Sequence, residues 1–254
     1  MPIAIVAVVT MLALVVAAEL MYRAGSKSRA RDDERVRAQV TTVQASTLGL
    51  LALILGFTMS MAESRFDARR SVLFAESAAI GIAYHVADSL PEPGRSQSRE
   101  LLRSYVAARR AYYHAAGDEV ASTTARAQAI HRQLQTIAAG LAREHPTWDL
   151  AVDYTYSIAE VVRLEAARDL VLAARVPSTI HALLLLVAIV AVSVSGFATG
   201  LERTRSFLTL YVVPLVIGFA YVVIADLDRS RAGFISTGDR GMIRLQQTMS
   251  SVDR

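Results

Sequence analysis

Four stretches of this chain contain no charged residue, and each is long enough to cross a lipid bilayer as a helix. They cover residues 3–18, 43–62, 182–201 and 207–225. A helix that rises about 1.5 Å per residue needs about 20 residues to span about 30 Å of hydrocarbon. Hydrophobic residues make up 53% of the chain, more than most soluble domains carry. The pattern predicts an all-α integral membrane protein with four transmembrane helices.

The first apolar run could instead be a secretory signal that is cleaved, because it ends in the small residues Ala17 and Ala18. Signal peptides normally carry basic residues before their apolar stretch. No Lys or Arg precedes this run. We therefore expect it to be retained as a transmembrane helix.

The apolar runs divide the chain into transmembrane segments, connecting regions and a tail. The third and fourth runs are separated only by residues 202–206, which predicts an antiparallel helical hairpin. The expected order is a transmembrane helix over 1–22, a basic loop over 23–42, a transmembrane helix over 43–62, a helical soluble insert over 63–178, transmembrane helices over 179–201 and 207–225, and a C-terminal tail over 226–254.

The polar insert has a composition that favours helices and disfavours nucleic acid as a partner. It is rich in Ala, Leu, Arg and Glu, which are good helix formers, and it holds 14 basic and 14 acidic residues. Balanced charge is not typical of a nucleic-acid surface. Breaks are predicted at proline and glycine positions, and we expect helices to begin at N-caps supplied by Ser98, Asp118 and Thr147.

One helix is expected to run from the second apolar run straight into the insert. No proline interrupts the chain between Val43 and the prolines at 91 and 93. The charges that follow the apolar run, including Arg65 and Arg69, are expected to mark the lipid headgroup zone, because long side chains reach out to the interface. We expect the insert to be a bundle whose first and last helices continue the second and third transmembrane segments.

Two helices of the insert show apolar residues at helical spacing. On the first, the shared face consists of Leu101, Tyr105, Ala108 and Tyr112. On the second, it consists of Trp148, Val152, Thr155, Ala159 and Val162. The charged residues opposite these faces are expected to be exposed to solvent, among them Arg109 on the first helix. On the second they are the carboxylates of Asp149, Asp153, Glu160, Glu165 and Asp169.

Small residues form a stripe along the second transmembrane segment. At about 100° per residue they share one sector of the helix. The members are Ala45, Gly49, Ala52, Gly56 and Ser60. The same sector continues with Glu63, Asp67 and Arg70. The stripe permits close helix packing; alternatively it lines a conduit in an oligomer, and the three charged residues form its mouth and select ions.

The sequence carries no recognisable catalytic or ligand-binding motif. There is no cysteine, and the five histidines lack the spacing of a helical metal site. Gly-rich phosphate loops are also absent from the sequence. We therefore predict that the protein is not an enzyme and needs no cofactor and no metal.

Three segments resemble a family of bacterial bestrophin-like membrane proteins of unknown function, which are distant relatives of the bestrophin anion channels. The first segment, 48–106, contains "RFDARR" at 65–70 and "LPEP" at 90–93 followed by "RELLRSYV" at 99–106. The second is "EVVRLEAARDLVLAARVPSTIHALLLL" at 160–186, and the third is "DLDRSRAGFISTGDRGMIRLQQTM" at 226–249. The resemblance covers the chain from about residue 40 onward. It implies two spans, a helical insert and two further spans, in a homo-oligomer whose second span lines the pore.

The sidedness of the insert stays open. Six basic residues lie between 23 and 37, and two more lie at 203 and 205. The positive-inside rule therefore favours a cytoplasmic location for these loops and an external location for the insert. The resemblance implies the opposite, because bestrophins hold their helical insert in the cytoplasm.

Together these features predict a multi-pass protein of the bacterial inner membrane. Its expected partners are the lipid bilayer, further copies of itself and inorganic ions, with no nucleic acid. The expected function is that of a homo-oligomeric, bestrophin-like ion channel. The alternative is a non-conducting membrane scaffold whose helical insert binds a partner protein.

Overall fold

A computed structural model describes residues 3–28, 32–115, 117, 119–202, 205–229 and 240–252. The basic loop residues Arg29, Arg31 and Arg203 and the predicted N-cap Asp118 lie outside the described residues. The described part of the chain forms helices and no strand, as predicted. The helices are α1 (Ile3–Lys27), α2 (Glu34–Asp88), α3 (Gly94–His114), α4 (Glu119–Glu144), α5 (Asp149–Ala173), α6 (Ser178–Leu201), a π-helical turn (Leu208–Val212) that leads into α7 (Val213–Leu227), and α8 (Arg240–Val252).

The chain divides into two compact units. The first, which we call the apolar unit, comprises Met1–Phe66 and Arg175–Ser236, and the second, the polar unit, comprises Asp67–Ala174 and Thr237–Arg254. Four helical segments are long and apolar enough to cross a membrane. They are α1, the first part of α2, α6, and the helix over Leu208–Leu227.

Helix α2 is continuous over 55 residues and contributes to both units. This confirms the prediction that one helix leaves the second apolar run without a break. The helix begins at Glu34, nine residues before the predicted start at Val43, and it ends at Asp88, just before Pro91. Since proline cannot donate the backbone hydrogen bond that a helix interior needs, the absence of proline in this range permits the unusual length.

The apolar unit is held together by a close parallel contact between α1 and α6. A Cβ atom added at Gly196 would lie 2.2 Å from the carbonyl oxygen of Ala18, and one added at Gly200 would lie 2.3 Å from that of Tyr22. The two backbones therefore touch where α6 has no side chain. Lipid offers no hydrophobic drive for helix association, so such small-residue contacts supply much of the packing energy.

Helix α7 packs antiparallel to α1, and the loop before it is tied to the same helix. Gly218 approaches the side chain of Met11, while the guanidinium of Arg205 donates to Glu19 at 2.9 Å and to the hydroxyl of Tyr211 at 2.6 Å. Glu19 is therefore part of a polar tie within this unit. A core of aliphatic side chains fills the interior, with Leu14, Leu51, Leu184, Val192 and Ile224 among its members.

The polar unit is a bundle with one continuous apolar core. Its buried members come from the second part of α2 and from α3, α4, α5 and α8. The sequence analysis assigns residues 226–254 to a tail, and the structure adds a helix there. Met242 and Met249 of α8 are each 2% exposed and join the core, so this helix completes the bundle.

Several sequence predictions about the bundle are wrong. The buried face of α5 consists of residues such as Tyr154, Ile158 and Val161, whereas Val152 of the predicted face is 41% exposed. The face predicted for α3 is correct at Tyr105 and Ala108, which are buried.

The predicted N-caps at Ser98 and Thr147 are also wrong. Helix α3 begins four residues before Ser98, at Gly94, and α5 begins at Asp149 with Trp148 as its N-cap. Ser98 is fully buried, and its Oγ accepts a hydrogen bond from the hydroxyl of Tyr154 at 2.7 Å. It therefore joins α3 to α5 rather than capping a helix.

We expect Gly196→Ala to destabilise the apolar unit by about 2 kcal/mol, because the new methyl group meets a backbone carbonyl that cannot rotate away. The control is Gly140→Ala in α4, where no atom lies within 4 Å of the added Cβ. Unfolding of the purified protein in detergent, followed by circular dichroism, measures both. Equal stability of the two variants would contradict the close contact between α1 and α6.

Candidate functional site

The predicted small-residue stripe of α2 is open along its whole length. All five members, Ala45, Gly49, Ala52, Gly56 and Ser60, are exposed. No atom lies within 4 Å of a Cβ added at either glycine of the stripe. The helices that the structure describes therefore do not pack closely on this stripe. The glycines that do serve such packing are on α1, α6 and α7.

The exposed arc of α2 has two halves of different character. One half is the stripe, and the other carries large apolar side chains about 100° away around the helix. Their exposed fractions are 49% for Val43, 50% for Leu50, 55% for Leu53 and 67% for Phe57. Bulky aliphatic and aromatic side chains match lipid acyl chains, whereas small ones leave the helix backbone open to close approach.

The charged residues that follow the stripe lie on different sides of α2. Glu63, Asp67 and Arg70, predicted as the charged mouth, are all exposed on α2. Arg69 is only 2% exposed, and the Nε atom of Arg65 is buried. Two of the three arginines in this short segment therefore turn toward the protein, and the first two charges in line with the stripe are carboxylates.

A buried ionic cluster in the polar unit was not predicted from the sequence. Glu76 of α2 is fully buried at its centre. Its Oε1 atom accepts hydrogen bonds from the Tyr105 hydroxyl at 3.0 Å, from Nε of Arg109 at 3.1 Å and from Nη1 of Arg168 at 2.7 Å. One carboxylate oxygen therefore ties α2 to α3 and α5.

The two arginines of this cluster are held by aromatic rings as well as by charge. Arg109 and Arg168 are 1% and 2% exposed. Their guanidinium carbons lie 4.8 Å and 5.6 Å from the ring centroid of Tyr112, within cation–π range. Arg168 also donates to Asp169 at 2.8 Å. The predicted exposure of Arg109 is therefore wrong.

A histidine–carboxylate pair lies beside the cluster. Nδ1 of His131 lies 2.5 Å from Oε2 of Glu165, and the two side chains are 6% and 11% exposed. Burial alone would raise the pKa of Glu165, but the hydrogen bond with His131 and the charge of Arg168 hold that pKa below its ordinary value. Burial and the nearby charge of Glu76 raise the pKa of Tyr105 well above its usual range.

The sequence analysis places Glu165 on a solvated face, and the structure contradicts this. A helix-period count treats every charged residue as a surface residue. It cannot recognise a carboxylate whose charge is balanced by partners on other helices. The sequence does contain one signal of a buried charge. Ile158, Val161 and Leu164 lie at helical spacing, and Arg168 is the next residue on the same side of α5.

The cluster stabilises the bundle only while it is complete. Taking charges out of water is costly, and the mutual attraction of the ions offsets that cost when each charge has its partner. Two atoms, Oε2 of Glu76 and Nη2 of Arg109, are buried with no hydrogen-bond partner within the described part of the chain. Removal of one charge would leave further buried polar atoms without partners.

No described residues form a group of three or more His, Asp or Glu side chains that could hold a metal ion. The cluster around Glu76 is rich in guanidinium groups, which do not ligate metals. Its geometry fits a structural role in fixing α2 against α3 and α5.

We expect Glu76→Gln to lower the free energy of unfolding by about 3 kcal/mol, because the buried Arg109 and Arg168 then lose the negative charge they share. The control is Glu160→Gln, which removes an exposed carboxylate that pairs with Arg163 at 2.6 Å, and exposed pairs contribute little. Thermal unfolding of the detergent-purified protein compares the two. Similar losses of unfolding free energy in both variants would show that the buried arginines do not depend on the charge of Glu76.

Comparison with known families identifies the chain. A family model described as a bestrophin-like domain matches residues 8–242. No curated protein and no solved structure matches the chain. The matched range begins within α1, includes the other three helices that could cross a membrane and extends to the start of α8. Because this range covers far more than half of its length, the chain belongs to the bestrophin-like family.

Proposed function

We propose that the protein is a multi-pass protein of the bacterial inner membrane that assembles from identical copies and conducts inorganic ions along α2. The observation that carries the proposal is the open stripe from Ala45 to Ser60, which is exposed and which no described residue covers. Membership of the bestrophin-like family supports it, because bestrophins are ion channels.

The stripe is poorly suited to face lipid. Its small side chains leave grooves that acyl chains fill less well than another helix does, and they bring backbone carbonyls close to the surface. Several copies of α2 around a shared axis would place these residues together. Hydroxyl groups at both ends, from Thr41 and Ser60, would then meet the permeating ion.

The large apolar half of α2 fits the same arrangement. Leu50, Leu53 and Phe57 lie beside the stripe rather than on it and are at least half exposed. In an oligomer built around the stripe they would face neighbouring helices or lipid. The rotation of α2 therefore separates an axial face from a lipid-compatible face.

The charges in line with the stripe favour cations. Glu63 and Asp67 follow Ser60 on the exposed side and come before the exposed Arg70, while Arg69 is buried and Arg65 is half-buried. Rings of carboxylates attract cations into a pore, and rings of basic residues attract anions. The resemblance to bestrophin anion channels favours anions instead. A measurement of ion preference therefore tests which residues form the mouth.

We expect Gly56→Leu to lower ion flux by about an order of magnitude without changing the size of the oligomer, because a large side chain would narrow a conduit lined by this stripe. Purified protein in liposomes loaded with a fluorescent ion indicator gives the flux. Light scattering coupled to size exclusion gives the oligomer mass.

The matched control is Ser46→Leu, which adds similar bulk to an exposed position of α2 outside the stripe. It should leave flux unchanged. A Gly56→Leu protein whose assembly changes while flux per oligomer stays normal would mean that the stripe serves packing. No flux from an intact wild-type oligomer would favour the non-conducting scaffold whose bundle binds a partner.

The double variant Glu63→Gln/Asp67→Asn should lower the K⁺ to Cl⁻ permeability ratio, because it removes both carboxylates that follow the stripe. Reversal potentials across a planar bilayer under a KCl gradient measure this ratio. The control Asp149→Asn/Asp153→Asn removes the same number of exposed carboxylates from α5. An identical ratio in all three proteins would exclude Glu63 and Asp67 from the mouth.

A further inference from the structure

A groove of about 500 Å³ lies between α2 and α8 within the polar unit. Its α2 wall includes Phe74, Ser77 and Ala78, and its α8 wall includes Arg240, Arg244 and Leu245. The groove is therefore lined on one side by small and aromatic residues and on the other by two arginines one helical turn apart.

The walls of the groove are fixed by the core behind them. Met242 and Met249 anchor α8 in the bundle. A Cβ added at Gly241 would lie 3.1 Å from Oγ of Ser77, and one added at Gly81 would lie 3.4 Å from the side chain of Leu245. Helices α8 and α2 are thus in direct contact beside the groove.

The charged residues that the structure describes around the groove are all arginines. Arg240 and Arg244 are exposed, and neither makes an ion pair with another described residue. The guanidinium of Arg70 lies 5.5 Å from the ring centroid of Phe74, at the edge of the same wall. No carboxylate is among the described lining residues. The groove also borders the first turn of α8, where backbone N–H groups add partial positive charge.

We propose that this groove binds a soluble organic phosphate of about nucleotide size. Guanidinium groups recognise phosphate through paired hydrogen bonds, and two arginines one turn apart can engage a single phosphate chain. The apolar part of the wall suits the organic portion of the ligand. Phe74 is 51% exposed, so one face of its ring is available for stacking on a planar group.

The position along α2 favours a soluble ligand over a lipid. Phe74 follows Ala62, the last residue of the apolar run, by 12 residues, which is about 18 Å of helix. The headgroup layer on each side of a bilayer adds only about 5 to 8 Å to the hydrocarbon core. A lipid phosphate would therefore have to leave the headgroup layer to reach the arginines.

Calorimetric titration of the full chain in nanodiscs of neutral lipid, with ADP in the absence of divalent cations as the probe, tests the proposal. We expect saturable binding that Arg240→Gln/Arg244→Gln weakens by about tenfold or more, since each substitution removes a charge-assisted contact. Both arginines are exposed, so the variant should keep its thermal unfolding midpoint.

Two comparisons sharpen the test. Arg163→Gln, which alters an exposed arginine of α5, should leave ADP binding unchanged. Phe74→Ala should weaken binding of ADP but not that of pyrophosphate, which has no organic portion to stack. The proposal is overturned if ADP does not bind at millimolar concentration, or if its affinity is the same in wild type and the double variant. If the protein binds phosphatidylglycerol through both arginines but does not bind ADP, the proposal is overturned in favour of a lipid site.

Discussion

The rotation of α2 about its own axis is the constraint on which the functional surfaces depend. In the polar unit this rotation is set by Glu76, whose Oε1 atom accepts hydrogen bonds from α3 and α5. Helix α2 is continuous from Glu34 to Asp88 and contains no proline. The stripe and the carboxylates of Glu63 and Asp67 lie on one exposed side of it.

The same residue type serves opposite purposes in different helices of the apolar unit. Gly196 and Gly200 let α6 touch the backbone of α1, whereas Gly49 and Gly56 face open space. Small-residue spacing in a sequence therefore indicates that a close approach is possible, and it does not indicate which helix approaches. Among the described residues, nothing occupies the space beside Gly49 and Gly56, so the α2 stripe is open to a close contact.

The sequence predicts the features that follow from composition and fails where charges are buried. Four spans and the unbroken α2 follow from long apolar runs and from the position of proline. The face of α3 at Tyr105 and Ala108 follows from helical period. Burial of Arg109 and Arg168 does not, because their cost is offset by a carboxylate that is distant in sequence.

Helix α8 and the buried face of α5 are two further features that the sequence analysis missed. The α8 segment is polar overall, and only Met242, Leu245 and Met249 at helical spacing indicate a buried side. On α5, Tyr154, Ile158 and Val161 form a stronger apolar line than the face that was predicted. Glu165 and Arg168 further along the line obscured it, since charged residues are normally taken to mark the surface.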